Sequence, residues 1–193
     1  MCNLYRMEKA PEAIVAVVRE LQWPLSFPEG IPNFQPRDIR ITDRAPIIRA
    51  APGEGLELVE RRWSWPAPNG KPVYNFRSEG RDFPWGRCLI VADGFYEYTT
   101  PADPAQKRKD RWLFTKPGEE WFAIAGIVRD VPAVGEAFTM LTTEPGPDVA
   151  PYHGRQVVVL ERDDWGRWLD PRCRAGEVLR PLPAGALAVE KAA

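Results

Sequence analysis

The chain has a single histidine and three cysteines among its 193 residues, and both scarcities exclude classes of protein. Cys2, Cys88 and Cys173 are odd in number and far apart, unlike a disulfide framework or the close Cys and His spacing of a zinc cluster. A reducing compartment fits this cysteine content best. One histidine, His153, does not build a zinc site with dispersed cysteines. We therefore expect no disulfide, no metal site and no cofactor.

The chain also lacks an excess of charge of either sign and any long apolar run. Its formal net charge is −1, so no basic field over the whole molecule indicates nucleic acid, and a site for a polyanion must be local. No run approaches the roughly 18 apolar residues that a membrane span needs, and the N-terminus has no basic segment followed by an apolar one. These observations predict a cytoplasmic protein with no membrane partner.

Strand-like runs, in contrast, are plentiful. Seven short runs are rich in β-branched and aromatic residues and are bounded by Gly, Pro, Asp or Asn, as strands are. They lie at 45–50, 55–65, 87–98, 111–116, 120–128, 137–143 and 155–160. Because 193 residues suit one buried domain, we expect a single β-rich domain over residues 2–180. The tail at 181–193 can pack or fray, and the sequence does not decide which.

Two segments show the helical period instead. Ile14, Val17, Val18 and Leu21 recur at i, i+3, i+4 and i+7 and predict a helix over 11–23. A second, shorter helix is predicted in "ERDDWGRWLD", where two tryptophans and a leucine at helical spacing follow an acidic start.

The most hydrophilic stretch, "TTPADPAQKRKDRW", is typical of a hairpin loop between two strands. We interpret its Lys107-Arg108-Lys109 run as a solvated loop tip rather than a nucleic-acid patch, because only three charges are adjacent.

The chemistry begins at the second residue. If Met1 is removed, Cys2 becomes the N-terminus and carries an amine and a thiol on adjacent carbons. Glu97 shares a strand face with Phe95, and an apolar setting raises the pKa of a carboxyl toward neutrality, as acid–base catalysis needs. His153 precedes an apolar strand and suits proton transfer or positioning. The alternatives stay open for both: Glu97 can be a strand-end carboxylate in water, and His153 a surface loop residue.

Two further pairs stand at the i, i+2 spacing that gives a strand one common face. Asn75 and Arg77 present an amide beside a guanidinium, which suits a sugar-phosphate ligand. Trp63 and Trp65 can stack on bases, although filling a small β core is at least as good an interpretation of either ring.

Taken together, the pieces resemble the SOS-response-associated peptidase (SRAP) family, whose members cross-link abasic sites in single-stranded DNA. Four separated motifs carry the resemblance: Cys2 at the start, "NFRSE" at 75–79, "RCLIVADGFYEY" at 87–98, and "HGRQVVVL" from residue 153. The opening departs from the family's commoner Cys-Gly-Arg-Phe, since Asn3 and Leu4 follow the cysteine here.

The resemblance implies an α+β fold, with a barrel-like mixed sheet and a few flanking helices. It also implies a nucleophile at Cys2, a positioning partner at Asn75, and proton handling by Glu97 and His153. It implies four DNA-contacting positions: Arg77, Trp63, Arg155 and Thr142. The expected partner is single-stranded DNA that contains abasic sites. We expect the protein to act as a monomer, associated with the nucleoid and with replication forks when bound to DNA.

An abasic site is in equilibrium with an open-chain aldehyde, which a 1,2-aminothiol captures as a thiazolidine. The amine, with a reference pKa of about 7.7–8.0, forms an imine, and the thiol then closes the ring. Two alternatives belong to other classes of function. One is an N-terminal-nucleophile amidohydrolase or thiol peptidase, in which Asn75 donates to an oxyanion. The other is a module that binds single strands without covalent chemistry.

Overall fold

The structure is a computed structural model, and it describes residues 2–192. Most of these residues lie in strands. The strands are β1 (Leu4–Met7), β2 (Leu25–Ser26), β3 (Arg37–Arg40), β4 (Arg44–Ala50), β5 (Leu56–Trp63), β6 (Trp65–Pro66), β7 (Pro72–Val73), β8 (Asn75–Arg77), β9 (Arg87–Ala92), β10 (Gly94–Thr99), β11 (Asp110–Thr115), β12 (Phe122–Val131), β13 (Gly135–Thr143), β14 (Gln156–Val157), β15 (Val159–Leu160) and β16 (Ala188–Ala192). The helices are α1 (Pro11–Glu20), α2 (Arg162–Leu169) and a 3-10 turn at Ala175–Glu177.

Five strands close into a barrel. Antiparallel pairing links β13, β12, β9, β4 and β5 in that order, and a short parallel pairing between β5 and β13 joins the two ends. Closure removes the exposed edges that an open sheet would leave. All six residues of β9 are buried, because the barrel core covers one face and other elements cover the second. The predicted α+β class with a barrel-like mixed sheet is confirmed.

A second, antiparallel sheet follows the order β16, β11, β10, β1, β3. Within it Tyr5 lies opposite Phe95, and Glu97 lies opposite Trp112. The chain passes from the barrel into this sheet at Asp93, whose carboxylate accepts hydrogen bonds from the Arg6 guanidinium and the Glu8 backbone. The single run predicted at 87–98 is therefore two strands in two sheets.

Gly94 follows the crossing and packs closely against β11. A β-carbon there would lie 2.6 Å from Cδ1 of Leu113 and 3.3 Å from the carbonyl oxygen of Phe114. A side chain at position 94 would therefore require the Leu113 side chain to move.

Both predicted helices are present, with one boundary corrected. α1 ends at Glu20 rather than near residue 23, because Gln22 adopts a left-handed φ of 57° and a proline follows at position 24. In α2, the rings of Trp165 and Trp168 are fully buried. No helix of the described chain is long and apolar enough to cross a membrane.

The C-terminal tail is ordered as an edge strand. β16 pairs with β11 along its whole length, with Lys191 opposite Trp112. Two backbone N–H groups of the preceding turn, those of Gly185 and Leu187, donate to the carboxylate of Asp148 at 2.9 Å each. The tail therefore extends the sheet that carries Glu97.

Arg87, the first residue of β9, is buried and joins this strand to the end of α2. Arg87 is 6% exposed, and its guanidinium donates to the carbonyls of Phe83 (2.6 Å), Trp168 (3.1 Å), Asp170 (2.8 Å) and Cys173 (2.9 Å). Carbonyls at the end of α2 and in the following loop are thus satisfied by one side chain. Removing it would leave several buried acceptors without a donor, which is costly.

We predict that Arg87→Met lowers the free energy of unfolding by about 3 kcal/mol, since bonds from a charged donor contribute about 1.5–3 kcal/mol each and several are lost together. Urea denaturation followed by tryptophan fluorescence measures this. The matched control is Arg172→Met, because the Arg172 side chain is 89% exposed and, among residues 2–192, forms an ion pair with Asp170 alone; its expected effect is within about 0.5 kcal/mol. Equal effects of the two substitutions would contradict a supporting role for Arg87.

Candidate functional site

The four predicted catalytic residues come from distant parts of the chain. Cys2 lies two residues before the start of β1, Asn75 begins β8, Glu97 lies in β10, and His153 follows a series of turns at 147–152. The Asn75 amide nitrogen donates to the Cys2 carbonyl at 2.7 Å. Glu97 and His153 line a common cavity of about 270 Å³ together with Asn3, Tyr98 and Lys109. The fold therefore brings the four residues into one region.

Cys2 is buried next to Asn3, which lines this cavity. Its side chain is 1% exposed, and its thiol donates to the Leu4 carbonyl at 3.1 Å. Burial raises the pKa of the thiol to about 12, and the negative charge of Glu97 raises it further in the same direction. The thiol is therefore protonated at neutral pH, and it needs a proton acceptor before it can act as a nucleophile.

Glu97 is a carboxyl group inside the protein rather than at a wet strand end. It is 1% exposed, and its register partner on β11 is Trp112. Burial raises its pKa above the ordinary value, while the neighbouring charge of His153 acts in the opposite direction. A carboxyl group with a raised pKa can both hold and release a proton near neutrality.

Asn75 is placed by a parallel pairing. β8 runs beside β13, with Asn75 opposite Met140. While its amide nitrogen is engaged with Cys2, its Oδ1 atom is buried and has no hydrogen-bond partner among residues 2–192. A buried acceptor left unsatisfied costs about 1–3 kcal/mol, which makes it a candidate contact for a further donor at the N-terminus.

His153 is held through its Nδ1 atom. The backbone N–H of Arg155 donates to Nδ1 at 3.0 Å, and the carbonyl of the same residue lies 2.9 Å from it. A neutral ring can accept from the N–H, and a protonated ring can donate to the carbonyl. The position thus suits either protonation state of the ring.

Two of the predicted DNA-contacting residues lie on the surface near this cavity. Arg77 is exposed at the end of β8, two residues after Asn75. The Arg155 side chain is 18% exposed and pairs with both carboxylate oxygens of Glu79. Arg155 also donates to the carbonyl and the hydroxyl of Thr142, at 2.8 and 3.1 Å. One cationic group is therefore open to solvent and the other is engaged with an acidic neighbour.

The other two predicted DNA contacts are corrected by burial. Trp63 is 0% exposed; its indole N–H donates to the Tyr74 carbonyl at 2.9 Å, and its ring meets that of Tyr5 edge to face. Thr142 is 1% exposed, and its hydroxyl accepts a hydrogen bond from Arg155. Neither side chain can touch a base or a phosphate in this conformation. Both side chains contact neighbouring protein residues instead.

The sequence missed other residues that border the site. Lys109 is exposed in its loop, as the charged run predicts, and it also lines the cavity with Glu97 and His153. Tyr98 and Asn3 also line it, and the departure at Asn3 from the commoner family opening was the only sequence signal for that residue. Among the tryptophans, the ring open to solvent is that of Trp85, which is 80% exposed.

Comparisons with known proteins give a consistent picture. A family model described as SOS response associated peptidase (SRAP) matches residues 1–192. A curated relative, the abasic site processing protein YoaM of Bacillus subtilis, is 31% identical over 103 residues. That match spans 50% of this chain and 43% of the relative, so less than half of YoaM's length is covered.

Solved structures share the fold. A protein from Bordetella bronchiseptica superposes with a TM-score of 0.73 at 23% identity, covering 100% of both chains. A protein from Bacteroides thetaiotaomicron gives a TM-score of 0.74 at 16% identity, covering 100% of this chain and 92% of the other. A phage-related protein from Bordetella bronchiseptica gives 0.73 at 21% identity, covering 99% and 94%.

The electrostatic link between Glu97 and Cys2 gives a direct prediction. Glu97→Gln removes a negative charge that raises the pKa of the Cys2 thiol, so that pKa should fall. The rate of thiol alkylation as a function of pH, measured in a Cys173→Ser background, reports it. Glu97→Asp, which keeps the charge, should leave the thiol pKa nearer the wild-type value. A thiol pKa that is unchanged or higher in Glu97→Gln would contradict the coupling.

Proposed function

The chain belongs to the SOS response associated peptidase (SRAP) family, and from the arrangement around Cys2 we propose that it captures abasic sites in single-stranded DNA by a covalent cross-link to that residue. The observation that carries the proposal is the 2.7 Å hydrogen bond from Asn75 to the Cys2 carbonyl beside a cavity lined by Glu97 and His153. The printed name of the Bacillus subtilis relative, an abasic site processing protein, supports it.

The reacting group is the 1,2-aminothiol that forms when Met1 is removed; Met1 lies outside the described residues. The α-amine adds to the C1′ aldehyde of the open sugar, and the resulting carbinolamine loses water to give an imine. The thiol sulfur then bonds to the imine carbon, and its proton passes to the nitrogen, which closes a thiazolidine. One water leaves overall, and no oxidant, reductant or metal is needed.

The order of the two attacks follows from the acidities. An α-amine has a reference pKa of about 7.7–8.0 and is substantially neutral near physiological pH. Burial holds the Cys2 thiol protonated, with a pKa of about 12. The amine therefore attacks first, and the thiol attacks when a neighbouring base accepts its proton.

Glu97 and His153 supply the proton transfers. Opening of the sugar and loss of water both need a proton donor, and closure of the ring needs an acceptor. A buried carboxyl with a raised pKa beside an imidazole can serve in both directions. Asn75 positions the nucleophile: its amide N–H holds the Cys2 carbonyl, and its unpartnered Oδ1 can accept from the terminal amine.

Local positive charge binds the DNA strand. Arg77 is exposed next to Asn75 and is the first candidate for a phosphate contact. Arg155 becomes available if a phosphate replaces Glu79 as its partner, and Thr142 keeps the guanidinium in place meanwhile. In this proposal the protein acts as a monomer in the cytoplasm, on single-stranded DNA of the nucleoid and at replication forks.

A thiol hydrolase is the rival within the same site, and the word peptidase in the family description keeps it in view. The acidity of the thiol argues against it. The raised thiol pKa disfavours a resident thiolate, and the bond from the Asn75 amide nitrogen to the Cys2 carbonyl leaves one of its two N–H groups for an oxyanion. Hydrolysis of glutamine or of a peptide panel at useful rates would favour the rival.

We predict that wild-type protein forms an adduct with an abasic single strand that survives a denaturing gel, and that Cys2→Ala does not. The variant keeps an N-terminal amine, so it should give an adduct only when borohydride reduces the imine. Cys173→Ala, at a half-buried cysteine outside the cavity, is the control and should behave as wild type. A stable adduct from Cys2→Ala without reductant would rule out ring closure by the thiol.

A second prediction concerns the acidic partner of Arg155. Glu79→Gln removes the carboxylate that competes with a phosphate, while Thr142 still holds the guanidinium through two hydrogen bonds. We expect tighter noncovalent binding of single strands that carry a stable abasic analogue, and a steeper loss of affinity with salt. Fluorescence anisotropy measures both. Weaker binding would mean that Glu79 orients Arg155 instead of competing for it.

A further inference from the structure

We propose that a basic cleft beside the catalytic cavity binds the phosphodiester backbone on one side of the abasic nucleotide. The inference rests on the proposed function and assigns a path to the flanking strand. The cleft encloses about 640 Å³, enough for a nucleotide. Its lining combines cationic, polar and aromatic groups, namely Tyr98, Gln106, Arg108, Lys109, Asp110, Arg111, Lys191 and Ala192.

The cleft borders the catalytic cavity. Tyr98 and Lys109 line both spaces, and the catalytic cavity also includes Glu97 and His153. A DNA strand whose abasic sugar reaches Glu97 would carry its next phosphates past these two shared residues. This adjacency to Glu97 and His153 is what favours a nucleic-acid strand over an unrelated acidic ligand.

The charge in the cleft is unbalanced. Its lining has four cationic side chains and one carboxylate, that of Asp110, in a chain whose net charge is only −1. Asp110 is already engaged, since it accepts from Lys191 at 2.8 Å and from Gln106 at 2.9 Å. Arg108 and Lys109 form no ion pair with any residue in the range 2–192 that the structure describes. Such unneutralised cations are available to phosphates.

The loop that presents these cations has a defined shape. The backbone N–H of Ala105 donates to the Asp103 carboxylate at 2.8 Å, and the Gln106 side chain donates to the Arg108 carbonyl at 2.8 Å. The opposite wall comes from β16, which supplies Lys191. The C-terminal strand, by pairing with β11, therefore forms part of the cleft. Residues 107–109 are exposed, as a solvated loop tip would be, and Arg108 and Lys109 also line the cleft.

The test uses single strands with a tetrahydrofuran abasic analogue, which binds but cannot cross-link. The unpaired flank is placed 5′ of the analogue, 3′ of it, or on both sides. Affinity is measured as a function of salt for the wild type, for Arg108→Glu and for Arg19→Glu. Arg19 is an exposed arginine near the end of α1 and does not line the cleft, so its substitution makes the same change in net charge.

We expect Arg108→Glu to weaken binding at least about fivefold at 0.1 M salt for strands with one of the two flanks. The salt slope should also fall in magnitude by about 0.7, because one single-strand phosphate contact releases about 0.7 counterion. Strands that lack that flank should bind as they do to wild type. Arg19→Glu should bind every strand within about twofold of wild type. Arg108→Gln, which removes the charge without reversing it, should give a smaller change of the same flank dependence.

Equal effects of Arg108→Glu and Arg19→Glu would overturn the cleft, and so would a loss that is the same for every flank. Failure of the proposed function has a different signature, which is absence of an adduct between wild-type protein and a true abasic strand. Flank-dependent binding of the unreactive analogue is measured without that reaction, so the two failures are distinguishable.

Discussion

One hydrogen bond, from the Asn75 amide to the Cys2 carbonyl at 2.7 Å, ties the start of the chain to the barrel. Without it the residues before β1 would be an ordinary terminus, free to fray. The register of β1 on β10 completes the placement: Tyr5 lies opposite Phe95, so Asn3 falls opposite Glu97 when the register is extended by two residues. The candidate site therefore lies where the second sheet meets β8, the strand that pairs with barrel strand β13.

Burial of the residues between the second sheet and β8 determines which chemistry the candidate site favours. Burial raises the pKa of the Cys2 thiol to about 12, so this group holds its proton near neutrality, and burial also raises the pKa of the Glu97 carboxyl above its ordinary value. A site with a protonated thiol, a carboxyl of raised pKa and an imidazole suits condensation with an aldehyde, because each step moves a proton without requiring a resident thiolate. In the proposed function, the same enclosure leaves contacts with DNA to exposed groups outside the cavity, with Arg77 and the basic cleft as the candidates.

Much of the secondary structure and several candidate site residues could be predicted from the sequence, because local patterns are sufficient for them. The runs at 45–50 and 137–143 are barrel strands β4 and β13, and the helical period marked α1 and α2. Side-chain chemistry made Asn75, Glu97 and His153 candidates beside Cys2, and the structure joins Asn75 to Cys2 by a hydrogen bond and places Glu97 and His153 on one cavity. These features depend on residues that are neighbours in sequence or on chemistry that few residue types supply.

Long-range pairing could not be predicted in the same way. The parallel contact of β5 with β13 closes the barrel, and the pairing of β16 with β11 creates the basic cleft, yet neither leaves a local signal. The sequence also did not predict which tryptophan rings are buried: Trp63 lies in the core, whereas Trp85 is exposed. Whether a charged loop faces open water or borders a site depends on the strand that packs beside it, as Lys109 illustrates.

The central claim is that Cys2 joins an abasic sugar through both its nitrogen and its sulfur. Intact-mass spectrometry of the wild-type protein incubated with an abasic strand tests it most directly, with and without borohydride. The account predicts one species whose mass equals that of the chain without Met1 plus the strand less one water, unchanged by the reductant. An adduct that retains Met1, one that borohydride reduces, or no adduct at all would contradict it.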